Sequence, residues 1–124
     1  MIKQLILVGL GGGIGSVVRF LVSKIPFAQG SFPWATLIVN IAGCFIIGLL
    51  IGLSVKHRFL DANMRILLVT GFCGGFTTFS TFSAENVYLY QSGDYLRLAL
   101  YVLLSVIVGF AAVLLGLALS RVSE

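Results

Sequence analysis

Carboxylates are the scarcest feature of this sequence. Asp61, Glu85, Asp94 and Glu124 are the only four in 124 residues, and with eight lysines and arginines they bring charged residues to just 10%. Soluble domains carry about a quarter. So few charges could not cover the surface of a water-soluble enzyme or nucleic-acid binder of this size, and both classes are excluded. Residues 25–55, 66–84 and 98–120 have no charge at all. The two cysteines, Cys44 and Cys73, each lie inside an apolar stretch, which excludes a disulfide framework or a thiolate metal site and leaves them as small buried hydrophobes. The net charge of +4 comes from basic residues scattered at the ends of apolar runs, so it indicates anionic lipid headgroups rather than nucleic acid.

What is present is apolar: 59% of residues are hydrophobic and the mean hydropathy is +1.11. About 20 such residues cross a bilayer as a helix, and backbone in hydrocarbon must satisfy its own hydrogen bonds. The pattern predicts an all-α membrane protein, a single transmembrane domain over 1–124 with four spans at about 4–23, 34–55, 64–90 and 95–120. The first run lacks the layout of a cleaved leader and is read as a retained span. Pro26, Gly30 and Pro33 punctuate the first link, with Trp34 at interfacial depth, and Lys56–Asn63 forms the second, where His57 is read as solvent-facing. Tyr88, Tyr90 and Tyr95 crowd the third link as an aromatic belt. Lys3, Lys56, Arg58, Arg65 and Arg121 fall on one side, and Arg19, Lys24 and Arg97 on the other. Five against three is a weak bias, compatible with either orientation.

Fifteen glycines are the next signal. Gly9, Gly11, Gly12, Gly13 and Gly15 precede no Gly-Lys-Ser/Thr and follow no strand, so a phosphate loop is excluded. Gly48 and Gly52, four apart, share a helix face suited to close packing. Gly74-Gly75 predicts a break in the third helix, and broken membrane helices expose carbonyls only where ions, water or protein meet them.

Polar residues inside the apolar runs mark the candidate site. Asn40 fits either an interhelical hydrogen bond or an amide N–H aimed at an anion in a water-filled entrance. Arg19 fits snorkelling or a vestibule charge. Glu85 lies toward the end of the third span, suited to a capping or interfacial role. Phe76, Phe79 and Phe82 recur every third residue, a stripe on one face if that segment is helical, with Thr77, Ser80 and Thr81 interleaved. Ring edges are partially positive, so an anion passing them is attracted without being trapped by a full charge. The central membrane region lacks carboxylates, which disfavours a cation path. No acid, base or nucleophile constellation for catalysis is present.

The run Gly71-Phe72-Cys73-Gly74-Gly75-Phe76-Thr77-Thr78-Phe79-Ser80-Thr81-Phe82-Ser83-x-Glu85 resembles the hallmark of the CrcB/Fluc family of fluoride channels. Gly12-Gly13-x-Gly15-x-x-x-Arg19-Phe20 and Thr36-x-x-x-Asn40-x-x-Gly43 resemble its other two motifs. The resemblance covers essentially the whole chain. It implies a dual-topology antiparallel homodimer in a bacterial cytoplasmic (inner) membrane, with two fluoride pores and a structural Na⁺ at the dimer centre. Phe79 and Phe82 then resemble pore-lining rings and Asn40 the vestibule amide. Ser80, Thr81 and Thr36 resemble a polar track, with Tyr101 and Ser105 from the fourth helix. The backbone carbonyls of Gly74 and Thr77 resemble the sodium ligands, and Arg19 resembles the family's arginine. Gly109, a turn beyond Ser105, offers no hydroxyl where some relatives have serine. The implied activity is passive export of F⁻. The competing expectations are a small proton-coupled antiporter, for which Glu85 is the candidate carboxylate, and a scaffold that carries no flux.

Overall fold

Long apolar runs can satisfy their backbone in hydrocarbon as helices, and helices are what these runs form. The computed structural model describes residues 1–56 and 60–122. His57 and Arg58 of the second link, and the side chain of Lys56, lie outside the described residues. Helix α1 (Ile2–Ser23) is followed by a 3₁₀ turn at Pro26–Gln29 and by α2 (Trp34–Lys56). The third span is composite. It begins as α3 (Ala62–Arg65), continues as a π-helical segment (Ile66–Cys73) and then α4 (Gly74–Phe76), and resumes as α5 (Phe79–Gln91). Helix α6 (Tyr95–Val122) closes the chain. Among the described residues, four helical stretches, with Ala62–Gln91 taken as one, are long and apolar enough to cross a membrane.

Local chemistry sets the ends of these elements. Asp61 Oδ1 accepts from Met64 N at 2.8 Å and opens α3, and Asp94 Oδ1 accepts from Arg97 N at 3.2 Å at the start of α6. Helix α5 ends in a Schellman motif. Asp94 N donates to Leu89 O and Gly93 N to Tyr90 O, with Gly93 at φ 74° where a side chain would be strained.

Packing divides the chain into two pairs: α2 lies along α6, and α1 lies along the π-helical segment and α4. Glycine permits both approaches. A Cβ on Gly48 would strike the Val113 carbonyl and one on Gly116 the Phe45 carbonyl. In the second pair, Gly15 abuts Phe72 O and Gly75 abuts Gly12 O. Gly48 and Gly52 therefore serve contact within the chain, Gly52 facing Ser120. Helix α5 packs on the α2–α6 pair through a small core of Leu37, Leu89 and Tyr101, with Phe32, Phe82 and Leu98 against it. Large apolar side chains such as Leu5, Phe20, Phe79, Ile107 and Phe110 stay on the outer surface.

Two expectations need correction here. Gly74 and Gly75 keep helical backbone, Gly74 at φ −62° and ψ −39°. The interruption falls instead at Thr77 (φ −84°, ψ 159°) and Thr78 (φ −151°, ψ 118°). Gly75 is used here for closeness to α1, while the hydroxyl-bearing threonines accept the extended conformation. The second correction follows from the first. Two extended residues destroy the helical register, so Phe76 does not continue the Phe79–Phe82 stripe. It is buried and stacks on Phe72, with centroids 5.5 Å apart.

Candidate functional site

The extended pair Thr77–Thr78 takes backbone groups away from their helical partners, and side chains from three directions replace them. Thr78 N–H, the amide a continuous helix would aim at Gly74 O, donates to Asn40 Oδ1 at 2.8 Å. Asn40 Nδ2 donates back to Thr78 O at 3.1 Å. The amide of α2 thus pairs with the Thr78 peptide as a neighbouring strand would. Thr78 Oγ1 caps α5 by accepting from Thr81 N at 3.2 Å, so the amide due to Thr77 O is also diverted. The same hydroxyl donates to Thr81 Oγ1 at 3.0 Å and lies 3.3 Å from Ser80 Oγ. On the other side of the break, Thr77 N and Thr77 Oγ1 both donate to Cys73 O, at 3.0 Å and 2.8 Å. From α1, Arg19 Nε donates to Gly75 O at 3.1 Å and Ser16 Oγ at 3.3 Å.

This distribution leaves the carbonyls of Gly74 and Thr77 without the amides that a continuous helix would supply, and Gly74 lies on the outer surface. They are the two oxygens that the family resemblance led us to expect as cation ligands. The described residues hold no group of three or more His, Cys, Asp or Glu suited to a metal. Any cation at the break must therefore use carbonyl and hydroxyl oxygens, the donor set of hard ions.

The remaining candidates fall around two cavities. One of about 520 Å³ is lined by Asn40, Gly74, Thr77, Phe79, Phe82 and Ser105 among others. Its aromatic wall is the Phe79–Phe82 pair, 5.8 Å between centroids and tilted by 36°, and the buried Ser105 Oγ has no hydrogen-bond partner among the described residues. The other cavity, about 810 Å³, takes in Ser16, Arg19, Thr36, Thr78, Thr81 and Glu85. Thr78 lines both. Ser80 is on the outer surface beside them, and Gly109 packs near Cys44 Sγ.

Glu85 neither caps a helix nor sits at a span end. Thr36 Oγ1 donates to its Oε1 at 2.8 Å and Tyr101 OH to its Oε2 at 2.7 Å. Tyr101 is 0% exposed and its ring lies 4.9 Å from that of Phe82, so the carboxylate is tied to the aromatic wall. The structure therefore brings Asn40, Thr81 and Thr77 to the break itself, groups Thr36, Glu85, Tyr101 and Phe82, and ties Arg19 Nε to Gly75 O just before the break, where Arg19 also lines the larger cavity. Sequence reading missed Thr78 and Ser16 as individual positions. Thr78 carried a signal, since a threonine ahead of a new helical run is an N-cap. Ser16 sits three residues before Arg19, on the same helix face.

Comparison with known proteins decides the family. A family model described as CrcB-like protein, Camphor Resistance (CrcB), matches residues 6–117. The chain belongs to the CrcB family. Its curated relatives include a protein of Azobacteroides pseudotrichonymphae genomovar. CFP2 named fluoride-specific ion channel FluC, 56% identical over 98% of both chains. Proteins of the same name are 50% identical in Agrobacterium fabrum, over 93% of this chain and 94% of that one, and 43% identical in Flavobacterium psychrophilum, over 96% and 98%. In this CrcB chain, residues of the three sequence motifs are hydrogen-bonded to one another: Ser16 and Arg19 from the first and Asn40 from the second hold the backbone around the extended pair of the third, and Thr36 from the second holds Glu85 of the third.

Proposed function

We propose that the chain is a passive, fluoride-selective anion channel that exports F⁻ from the cytoplasm. The observation that carries this reading is full-length similarity to proteins named fluoride-specific ion channel, at up to 56% identity. The geometry supports a mechanism. Fluoride is small and strongly hydrated, so a path for it must replace water ligands without holding the ion too tightly. The ring pair Phe79–Phe82 offers partially positive edges. The Ser105 hydroxyl, buried and unpartnered, and the second N–H of Asn40 are neutral donors on the same cavity. Thr81, Ser80 and Thr36 extend the hydroxyls from the break toward Glu85 and Tyr101. Conduction down the gradient suits a cell in which hydrogen fluoride enters from acidic surroundings and dissociates inside.

The working unit in this reading is an antiparallel homodimer with dual topology, in a bacterial inner membrane and in contact with lipid, with Thr77–Thr78 serving as a break of the third membrane helix. A structural Na⁺ at the dimer centre is held by the Gly74 and Thr77 carbonyls of each subunit. The diverted amides of Thr78 and Thr81 support that role, and a monovalent ion fits a donor set without carboxylates. The sodium supplies fixed positive potential near the anion path. Replacing sodium with a large organic cation is expected to weaken fluoride flux; full activity with demonstrably no bound metal contradicts a functional ion.

The test of function is ion efflux from liposomes containing only this protein. Fluoride should leave down its gradient while chloride is retained, without a proton gradient and also in Glu85→Gln. Flux that requires a proton gradient and disappears in Glu85→Gln indicates the antiporter, and no flux at all indicates a scaffold.

A further inference from the structure

The carbonyls near the break do not all meet the same fate, and one of them receives a charged donor. With Thr77 and Thr78 extended, Phe79 N–H, the amide due to Gly75 O, is carried away along the chain. Within a membrane such an orphan carbonyl is costly unless protein or water meets it. Gly75 O is met twice from α1, by Arg19 Nε at 3.1 Å and Ser16 Oγ at 3.3 Å. The approach is enforced by packing: Gly75 lies against the Gly12 carbonyl and Gly15 against Phe76 N, with no room for a Cβ at either glycine. Asn40 performs the matching task from α2, three residues later, at Thr78. The extended pair is therefore clamped at both ends, by α1 before it and by α2 after it.

We propose that Arg19 and Ser16 are positioning residues, whose shared hydrogen bonds to Gly75 O fix the direction in which the chain leaves α4 and hence the placement of the Gly74 and Thr77 carbonyls and of Phe79. This rests on the channel reading above and deepens it. Arg19 acts through backbone geometry, not by attracting or touching the anion. A guanidinium suits the task because Nε binds the carbonyl while further N–H donors remain on a side chain that lines the larger cavity. Because both donors serve one acceptor, their effects are coupled rather than additive.

The experiment compares wild type with Arg19→Met, Arg19→Gln, Ser16→Ala and the Ser16→Ala/Arg19→Met double variant, each in liposomes. Labelling with carbonyl-¹³C glycine and ¹⁵N-phenylalanine selects only Gly-Phe pairs, and the sequence has three, at Gly71, Gly75 and Gly109. The Gly75 carbonyl signal is expected to shift in Arg19→Met while the Gly109 signal stays, and fluoride efflux per folded molecule is expected to fall about tenfold or more, the scale of a hydrogen bond to a charged group. Arg19→Gln, which keeps a neutral N–H donor, should recover part of both readouts. Ser16→Ala should be milder, and the double variant should lose less than the product of the two single losses. An unmoved Gly75 signal in Arg19→Met overturns the proposal, as does wild-type efflux. So does a loss equal in Gln and Met that vanishes at high salt, which identifies screened attraction of anions. If wild type carries no fluoride, the channel reading fails separately, and the carbonyl signal still decides the clamp.

Discussion

The α2–α6 pair and the third span solve the same problem in opposite ways. Along α2 and α6 the helices run unbroken for 23 and 28 residues, and glycines bring backbone onto backbone at Gly48 and Gly116. The third span changes from α to π helix and back within 15 residues, Ala62–Phe76, and then gives up helix altogether for two. There the hydrogen bonds come from Asn40, Arg19, Ser16 and the threonine hydroxyls. The difference separates two jobs. A continuous small-residue contact can hold a membrane fold together but offers an ion nothing. Backbone released from its own helix, held open by side chains from neighbouring helices, gives oxygens and donors a fixed direction.

Substitutions in the two regions should consequently fail differently. The largest effect is expected at Asn40, which supplies both an acceptor and a donor to one peptide. Asn40→Leu leaves Thr78 N–H and C=O unmet, and fluoride efflux should fall about 100-fold or more, two lost hydrogen bonds at roughly 1–3 kcal/mol each. Next is Gly48→Ala, whose new Cβ would meet the Val113 carbonyl. It should cost about 1–3 kcal/mol of stability, as overpacking does, seen as reduced folded yield, with efflux per folded molecule unchanged. Phe82→Ile keeps apolar bulk but removes the ring beside Phe79 and Tyr101. It should fold normally and carry fluoride roughly tenfold more slowly, the upper range of an aromatic contact; wild-type efflux from well-folded Phe82→Ile removes the ring edges from the account. The smallest effect belongs to the α5–α6 turn, which joins the third span to α6. Asp94→Asn keeps the helix cap and loses only the exposed 2.8 Å pair with Arg97, so thermal unfolding should move by less than about 1 kcal/mol and flux not at all.

Much of this contrast was legible in the sequence, and the limits have physical causes. Charge-free runs identify four long apolar helices because a bilayer leaves an apolar chain few choices. The motif residues drew attention to the stretch of the third span that contains the extended pair. The position of its interruption was misread because Gly-Gly is locally the weakest helix, whereas the actual break depends on a partner 38 residues away, Asn40. The three-phenylalanine stripe assumed an unbroken helix, so Phe76 was assigned to the wrong face. Glu85 was read from its place near a span end, yet its partners Thr36 and Tyr101 arrive from α2 and α6. No local pattern announces the π-helical segment, Ile66–Cys73, which packs along α1. In each case the sequence reported composition and period, and contacts between distant helices decided the geometry.

The central claim is that ion selection resides at the held-open break and not in the packed pair. It is tested most directly by measuring fluoride and chloride efflux per folded molecule, from liposomes of matched protein content, for wild type, Asn40→Leu and Gly48→Ala together. Wild type and Gly48→Ala should empty fluoride and retain chloride at the same rate per folded molecule, and Asn40→Leu should lose fluoride flux while remaining folded. Equal efflux in all three, or equal loss per folded molecule in both variants, would contradict the account.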